Sequence, residues 1–347
     1  MNALASIFSA SRRYGEAQAG VRHAEAIDIT VAQNAIVGGP HDHRWRPHPL
    51  RRGPHPPRDA APDVSPAIEL PYAVIRGATD GPTLLLSAGV HGAEYASIEA
   101  AYRAMDVDPA TLRGTLVVVP ILCPPSFFAR TIYVNPVDGK NLNRQFPGDA
   151  SGTFSQRLAH WFTTEFIAAA DAYVDLHGGD LIEPLDPFTL FAAGDGAAEA
   201  LARAFGIPTL IASEGFGSTI TAAAARSIPA ILPEASGQGL RPEAEVGRLA
   251  DGVTRVMAHL GMRDGEGEAP DATVLREFAW LRAEHDGLWY PTVTAGQRLR
   301  AGQAVGTLRS LLGEPLQEAV SPIDGRVLFG VSSLAINQGD PLVGIGA

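Results

Sequence analysis

The sequence predicts an α/β fold: a mostly parallel or mixed sheet flanked by helices, followed by a small all-β domain. Three observations predict it. Between residues 67 and 262, short apolar runs of strand length alternate with longer amphipathic stretches of helical period, the pattern of a sheet covered on both faces. A polar connector without apolar period, opening Arg263-Asp264-Gly265-Glu266-Gly267, fills 263–273. From 274 to 347, β-like pieces are cut by glycines at Gly287, Gly296, Gly302, Gly306, Gly313, Gly325, Gly330 and Gly339, which predicts a small antiparallel β-domain.

Taken in order, strands are expected at 72–76 and 83–90, a helix at 94–105 and a strand at 114–120. A helix at 153–170 and strands at 173–176 and 188–192 follow. A helix at 197–205, a strand at 209–212, a helix at 219–227, a strand at 230–233 and a helix at 242–260 complete the α/β part. Residues 1–66 differ. From Gly38 to Pro66 the text is dense in Pro, Arg and His, with no period of 2 or 3.6, and this segment is expected to be disordered or loosely attached. Its histidines (His41, His43, His48, His55) are scattered among prolines that prevent one compact ligand set.

At 347 residues and 46% apolar composition the chain can bury a large core. The net charge of -11 argues against a general nucleic-acid binder. One cysteine, Cys123, allows no intrachain disulfide and points to a reducing compartment, the cytoplasm. The apolar patch Ala3 to Phe8 is shorter than a signal segment, and no run of about 18 apolar residues predicts a membrane span. Homo-oligomerisation stays open.

The chemistry gathers where strands run out. His91 and Glu94 follow the apolar run Leu84-Leu85-Leu86, and His177 follows Ala172-Tyr173-Val174-Asp175-Leu176. Residues three apart at a helix start lie about 5–6 Å apart at Cβ and face the same way, so one ion can bridge His91 and Glu94. Gly89 and Gly92 let the chain turn sharply from strand to helix and point the imidazole into the crevice. Two imidazoles and a carboxylate suit zinc better than calcium or magnesium, and three protein ligands leave a fourth position for water. His160 sits in an ordinary helical stretch and is assigned no role.

Glu234 ends the apolar run 228–233 and precedes Ala235-Ser236-Gly237, which puts it on the same rim as His177. A carboxylate there can take a proton from water and return it to a leaving nitrogen. Between the ligands, the turn-rich stretch 129–148 carries Arg130, Asn141, Asn143 and Arg144. The guanidinium fork suits a carboxylate or polarised carbonyl, and asparagine can both donate and accept. Asn143 and Arg144 are read as substrate contacts, whereas Lys140, the only lysine, is read as solvated.

Gly89-Val90-His91-Gly92-Ala93-Glu94, Asn141-Leu142-Asn143-Arg144, Asp175-Leu176-His177 and Pro233-Glu234, in that order, resemble the succinylglutamate desuccinylase/aspartoacylase family, relatives of the zinc carboxypeptidases, over about residues 67–347. The resemblance implies a zinc carboxypeptidase-like catalytic domain at 67–262, one Zn2+ on His91, Glu94 and His177, and Glu234 as general base and acid. It also implies Asn143 and Arg144 as substrate-binding residues and Arg130 as a catalytic residue polarising the scissile carbonyl. The substrate class it implies is an N-acyl amino acid or related small amide. The long form with a C-terminal β-domain is similar to deacetylases of N-acetyl-diaminobutyrate, although no residue fixes the acyl group or the amino acid.

Two departures from the family pattern stand out. Aspartoacylases carry Asp where this chain has Asn141, and Arg130 lies farther from the Asn143-Arg144 pair than the equivalent arginine does. Residues 274–347 look like the family's β-domain, which is similar to a biotinyl/lipoyl barrel-sandwich. With no lysine it cannot be a carrier, and it is expected to pack over the site mouth, Trp289 or Tyr290 being candidate contacts and core packing their alternative. The rival functions are a metallocarboxypeptidase, with Arg144 holding a peptide C-terminus, and a non-catalytic binding protein on the same fold.

Overall fold

The computed structural model describes residues 21–27, 68–265 and 269–347. The remainder of the expected atypical segment, residues 1–20 and 28–66, lies outside the described residues. A nine-stranded mixed sheet has the order β1-β2-β4-β3-β5-β8-β6-β7-β9. Its strands are β1 (Val21–Ile27), β2 (Ile68–Arg76), β3 (Thr79–Ser87), β4 (Arg113–Val119), β5 (Ala172–Asp175), β6 (Phe188–Ala192), β7 (Thr209–Ser213), β8 (Ala230–Glu234) and β9 (Thr273–Leu275). Pairing is parallel from β4 through β3 and β5 to β8, and again from β6 through β7 to β9. The pairs β1/β2, β2/β4 and β6/β8 are antiparallel.

Strand alternation explains the two apolar layers. In β3, Leu84 and Leu86 face one side and Leu85 the other. The first side is covered by α1 (Tyr95–Ala104), α4 (Gly196–Phe205) and α6 (Glu243–His259), through residues such as Ala100, Leu201, Phe205 and Val253. The second is covered by α3 (Phe154–Glu165) and α5 (Thr219–Ala224), through Leu158, Phe162 and Ile220. Fully burying one such large apolar side chain stabilises by about 1.5–3 kcal/mol, so these layers hold the strand ends in fixed register. A short helix, α2 (Pro124–Ala129), lies in what sequence reading left as loop. No described helix is long and apolar enough to cross a membrane.

The antiparallel part begins with β10 (Phe278–Arg282). Residues 273–275, expected at the seam of connector and β-domain, instead form β9, which pairs with β7 at the edge of the large sheet. Beyond it are β11 (Gly287–Pro291), β12 (Arg298–Leu299), β13 (Ala304–Arg309), β14 (Pro315–Val320), β15 (Gly325–Gly330), β16 (Ala335–Ile336) and β17 (Pro341–Gly346). They form two four-stranded antiparallel sheets, β10-β17-β15-β12 and β14-β13-β11-β16, around Trp289, Val305, Leu308, Val327 and Ile345. Trp289 belongs to that core, its indole N–H donating to the Val331 carbonyl at 3.1 Å, whereas Tyr290 is exposed beneath Arg309. The sandwich grips loop 182–186: Ser332 N–H donates to Ile182 O, Asp186 N–H to Leu328 O, and Arg326 pairs with Asp186 at 2.7 Å.

Candidate metal centre

Strands β3, β5 and β8 are adjacent and parallel, so their C-terminal ends share one sheet edge. Each delivers a site residue there. After β3 the chain turns at Gly89, in a left-handed conformation (φ 63°), while the Leu122 and Cys123 N–H groups bond the Ala88 and Gly89 carbonyls at 2.9 Å. His91 follows, and Glu94 stands at the N-cap position of α1. Two residues after β5 the extended chain reaches His177, whose N–H donates to Pro233 O at 2.9 Å and which bridges in parallel to Glu234, the last residue of β8.

The side chains converge. His91 Nδ1 lies 2.6 Å from Glu94 Oε1, and His177 Nδ1 lies 3.0 Å from Glu94 Oε2. One ligating atom from each of the three residues falls within 4.8 Å of the other two. Their side chains are 10%, 4% and 1% exposed, for His91, Glu94 and His177, so bulk water competes little for these donors. Each imidazole is held from behind through Nε2, His91 by Asn141 Oδ1 at 3.0 Å and His177 by Asp175 Oδ2 at 2.9 Å. A histidine fixed this way turns its other nitrogen to the shared centre.

Electrostatics reinforce the arrangement. Burial opposes ionisation of Glu94, but His177 and His91 hold its carboxyl down at about 2. Burial likewise opposes a charged His177, yet Asp175 and Glu94 on either side outweigh it and raise its pKa well above the usual value. Glu234 is pushed well above the ordinary carboxylate range by burial; His177 opposes, and Glu94, Glu183 and Asp175 add to the rise. Its carboxylate makes no hydrogen bond or ion pair with the described residues. The carboxyls of Glu94, Asp175, Glu183 and Glu234 thus gather around two imidazoles without an arginine or lysine pairing with any of them among the described residues. A divalent cation held by the imidazoles and Glu94 would favour the ionised form of Glu234, which burial otherwise opposes.

The structure seats Asn143 beside this centre: it is buried, and its Oδ1 accepts the Thr219 N–H at 3.0 Å. Arg144 is exposed, with Nη1 donating to the Asn143 carbonyl at 2.7 Å. Arg130 caps the C-terminus of α2 with left-handed backbone (φ 53°), and its exposed guanidinium bonds none of the described residues. Sequence reasoning passed over the residues that surround Asp175: Ser87 Oγ donates to Oδ1 at 2.5 Å and Thr219 Oγ1 to Oδ2 at 2.5 Å, while the Tyr173 hydroxyl lies 2.6 Å from Ser87 Oγ. The available signal was a serine closing an apolar strand and an aspartate two residues before a ligand. Tyr133 was also passed over. Its backbone is left-handed (φ 57°), its N–H donates to Asp180 Oδ2 at 2.6 Å, and its buried hydroxyl has no hydrogen-bond partner among the described residues.

Residues 80–260 match the family model for the succinylglutamate desuccinylase/aspartoacylase catalytic domain. Over 298 residues, 80% of this chain and 85% of the relative, the chain is 28% identical to N-alpha-acetyl-L-2,4-diaminobutyric acid deacetylase of Halomonas elongata. It is similar to a crystal structure of a succinylglutamate desuccinylase/aspartoacylase from Rhodobacter sphaeroides (TM-score 0.71, 29% identity, 81% and 89% of the two chains). It is also similar to the product-bound ectoine utilization protein EutE (DoeB) from Ruegeria pomeroyi (TM-score 0.75, 26% identity, 81% and 90%). Family model, fold and the order of the site motifs agree: the chain belongs to the succinylglutamate desuccinylase/aspartoacylase family.

Proposed function

We propose that this chain is a zinc-dependent amidohydrolase that removes the acyl group from an N-acyl amino acid or similar small amide. The observation that supports it most is the convergence of His91 Nδ1, Glu94 and His177 Nδ1 at one sheet edge, beside Glu234, whose carboxyl is unpaired among the described residues. The donor set fits zinc: two nitrogens and one carboxylate, each imidazole braced from behind, three protein donors where a catalytic zinc takes a non-protein fourth. Bound there, zinc supplies Lewis acidity and makes water a competent nucleophile at neutral pH.

The chain's own residues divide the remaining work. Glu234 accepts the proton of the attacking water on its carboxylate and returns it to the leaving nitrogen. Asn143, fixed by Thr219, presents its amide group, which suits a substrate amide or carboxylate. Arg144 and Arg130 carry exposed guanidinium forks without acidic partners among the described residues, suited to a substrate carboxylate and to the oxygen of the scissile carbonyl. The β-sandwich, anchored on loop 182–186, limits substrate length. The buried thiol of Cys123 accords with a cytoplasmic location.

The relative from Halomonas elongata makes N-acetyl-2,4-diaminobutyrate the first substrate to test, with N-succinylglutamate and N-acetylaspartate beside it. Elemental analysis of tag-free protein, wild type and His177→Ala in parallel, should find about one zinc per chain that the variant loses. Hydrolysis of one of these amides should then depend on that zinc. Metal-free wild type after zinc supplementation, or trimming of unblocked peptides in place of deacylation, would overturn the reading.

A further inference from the structure

Thr219 touches both halves of the site. Its backbone N–H holds Asn143 Oδ1 at 3.0 Å, and its side-chain hydroxyl donates to Asp175 Oδ2 at 2.5 Å, the oxygen that also meets His177 Nε2 at 2.9 Å. We propose that Thr219 is a positioning residue that sets the His177 ring for metal binding through Asp175 while seating Asn143 through its main chain. The inference rests on the zinc reading above.

The geometry leaves the Asp175 carboxylate no freedom. Ser87 Oγ donates to Oδ1, Thr219 Oγ1 and His177 Nε2 share Oδ2, and Ser87 is itself fixed by the Tyr173 hydroxyl at 2.6 Å. Ser87, Asp175 and Thr219 are each 0% exposed, so no water can replace a missing donor without opening the core. A carboxylate pinned at both oxygens keeps a proton of His177 on Nε2, so Nδ1 is the nitrogen that faces Glu94 and would give its lone pair to a metal. Without the Thr219 hydroxyl, Asp175 can rotate about its remaining bond to Ser87 and carry the imidazole with it.

The two arms of Thr219 are chemically separable. Thr219→Val has nearly the same shape, deletes the hydroxyl and keeps the N–H that bonds Asn143. Thr219→Ser restores a hydroxyl at the same carbon. The position is locally well supported: Ser218 caps α5, and Ile220, Ala222 and Ala223 bury into the core. The capping and core contacts are independent of the threonine hydroxyl.

The test is competition for zinc between apoprotein and a chromophoric chelator, for wild type, Thr219→Val, Thr219→Ala and Thr219→Ser, each with an apoprotein melting curve. The expected result is about 10–100-fold weaker zinc binding in the Val and Ala variants and binding within about threefold of wild type in the Ser variant. The Ala variant covers the case in which Val does not fold. At saturating zinc, Thr219→Val should recover turnover with KM within about threefold of wild type, because Asn143 keeps its N–H donor. A helix merely disrupted at α5 would instead raise KM irrespective of zinc. Zinc affinity unchanged in folded Thr219→Val or Thr219→Ala, with wild type binding normally, overturns the assignment; failure of wild type itself to bind zinc overturns the underlying zinc reading instead.

Discussion

The carboxamide oxygen of Asn141 lies 3.0 Å from His91 Nε2 and also accepts the Asn143 N–H at 2.9 Å. The two histidines of the proposed metal site are therefore braced by unlike groups, a neutral amide behind His91 and a carboxylate behind His177. The position at which aspartoacylases carry Asp thus keeps its acceptor here without its charge. Asn141→Ala should weaken zinc binding about 10–100-fold, because the ring loses its orientation. Asn141→Asp keeps both acceptor contacts and adds charge that makes the imidazole more basic, so it should bind zinc at least as tightly as wild type. Chelator competition measures both, and an Ala variant indistinguishable from wild type would remove the Asn141 contact from the metal site.

Glu234 is separable from metal binding, since it ends β8 while the three proposed ligands follow β3 and β5. Glu234→Ala should retain about one zinc per chain and lose on the order of 10²–10⁴ in kcat. Metal content and turnover measured on the same preparation check this. Ordinary turnover with zinc in place would take Glu234 out of the reaction.

Glu183 lies in the loop gripped by the β-sandwich, and its carboxyl is pushed up to about 7. Burial is the main cause; a backbone N–H at Asp180 opposes, and the Glu94 and Asp180 charges add. The folded chain thus holds a proton that the unfolded chain, titrating near 4.5, releases between those values. The stability this group contributes is fully present below pH 4.5 and is lost as pH rises through about 7. Apoprotein melting should show Glu183→Gln more stable than wild type at pH 8, with the gap closing as pH falls toward 5. A gap that stays constant across that range would show that Glu183 is not buried as a neutral acid.

Much of this site was legible because the fold turns sequence order into position. His91, Glu94, His177 and Glu234 each follow or end an apolar run, and the parallel pairing of β3, β5 and β8 brings those ends to one edge. The bracing of Asp175 was not legible. Its donors stand 88 residues earlier and 44 later, and only the packing of β3, β5 and α5 brings them together. Strand direction was equally hidden: β6 is as apolar as its neighbours yet runs antiparallel to β8. Arg130 could be read for its chemistry but not its exposure, because that follows from α2, whose Pro124-Pro125 start resembles a turn.

Gly92 connects the metal site to α2 through space rather than through charge. A Cβ on this residue would lie 2.0 Å from Phe127 N and 2.3 Å from Ser126 C, both backbone atoms of α2 that no rotamer change can clear. Gly92→Ala must therefore displace either α2 or the turn that carries His91 and Glu94. Overpacking of this kind costs about 1–3 kcal/mol or more, and because His91 directly precedes Gly92 and Glu94 follows two residues on, both proposed ligands, zinc affinity should fall with stability. Gly247→Ala is the matched control: it sits within α6 with open space around its Cβ, and there alanine should stabilise by about 0.5–1 kcal/mol. Thermal denaturation of the two apoproteins, followed by zinc titration, separates the cases. If Gly92→Ala melts and binds zinc like wild type, the close packing of α2 against the ligand turn is not what positions His91.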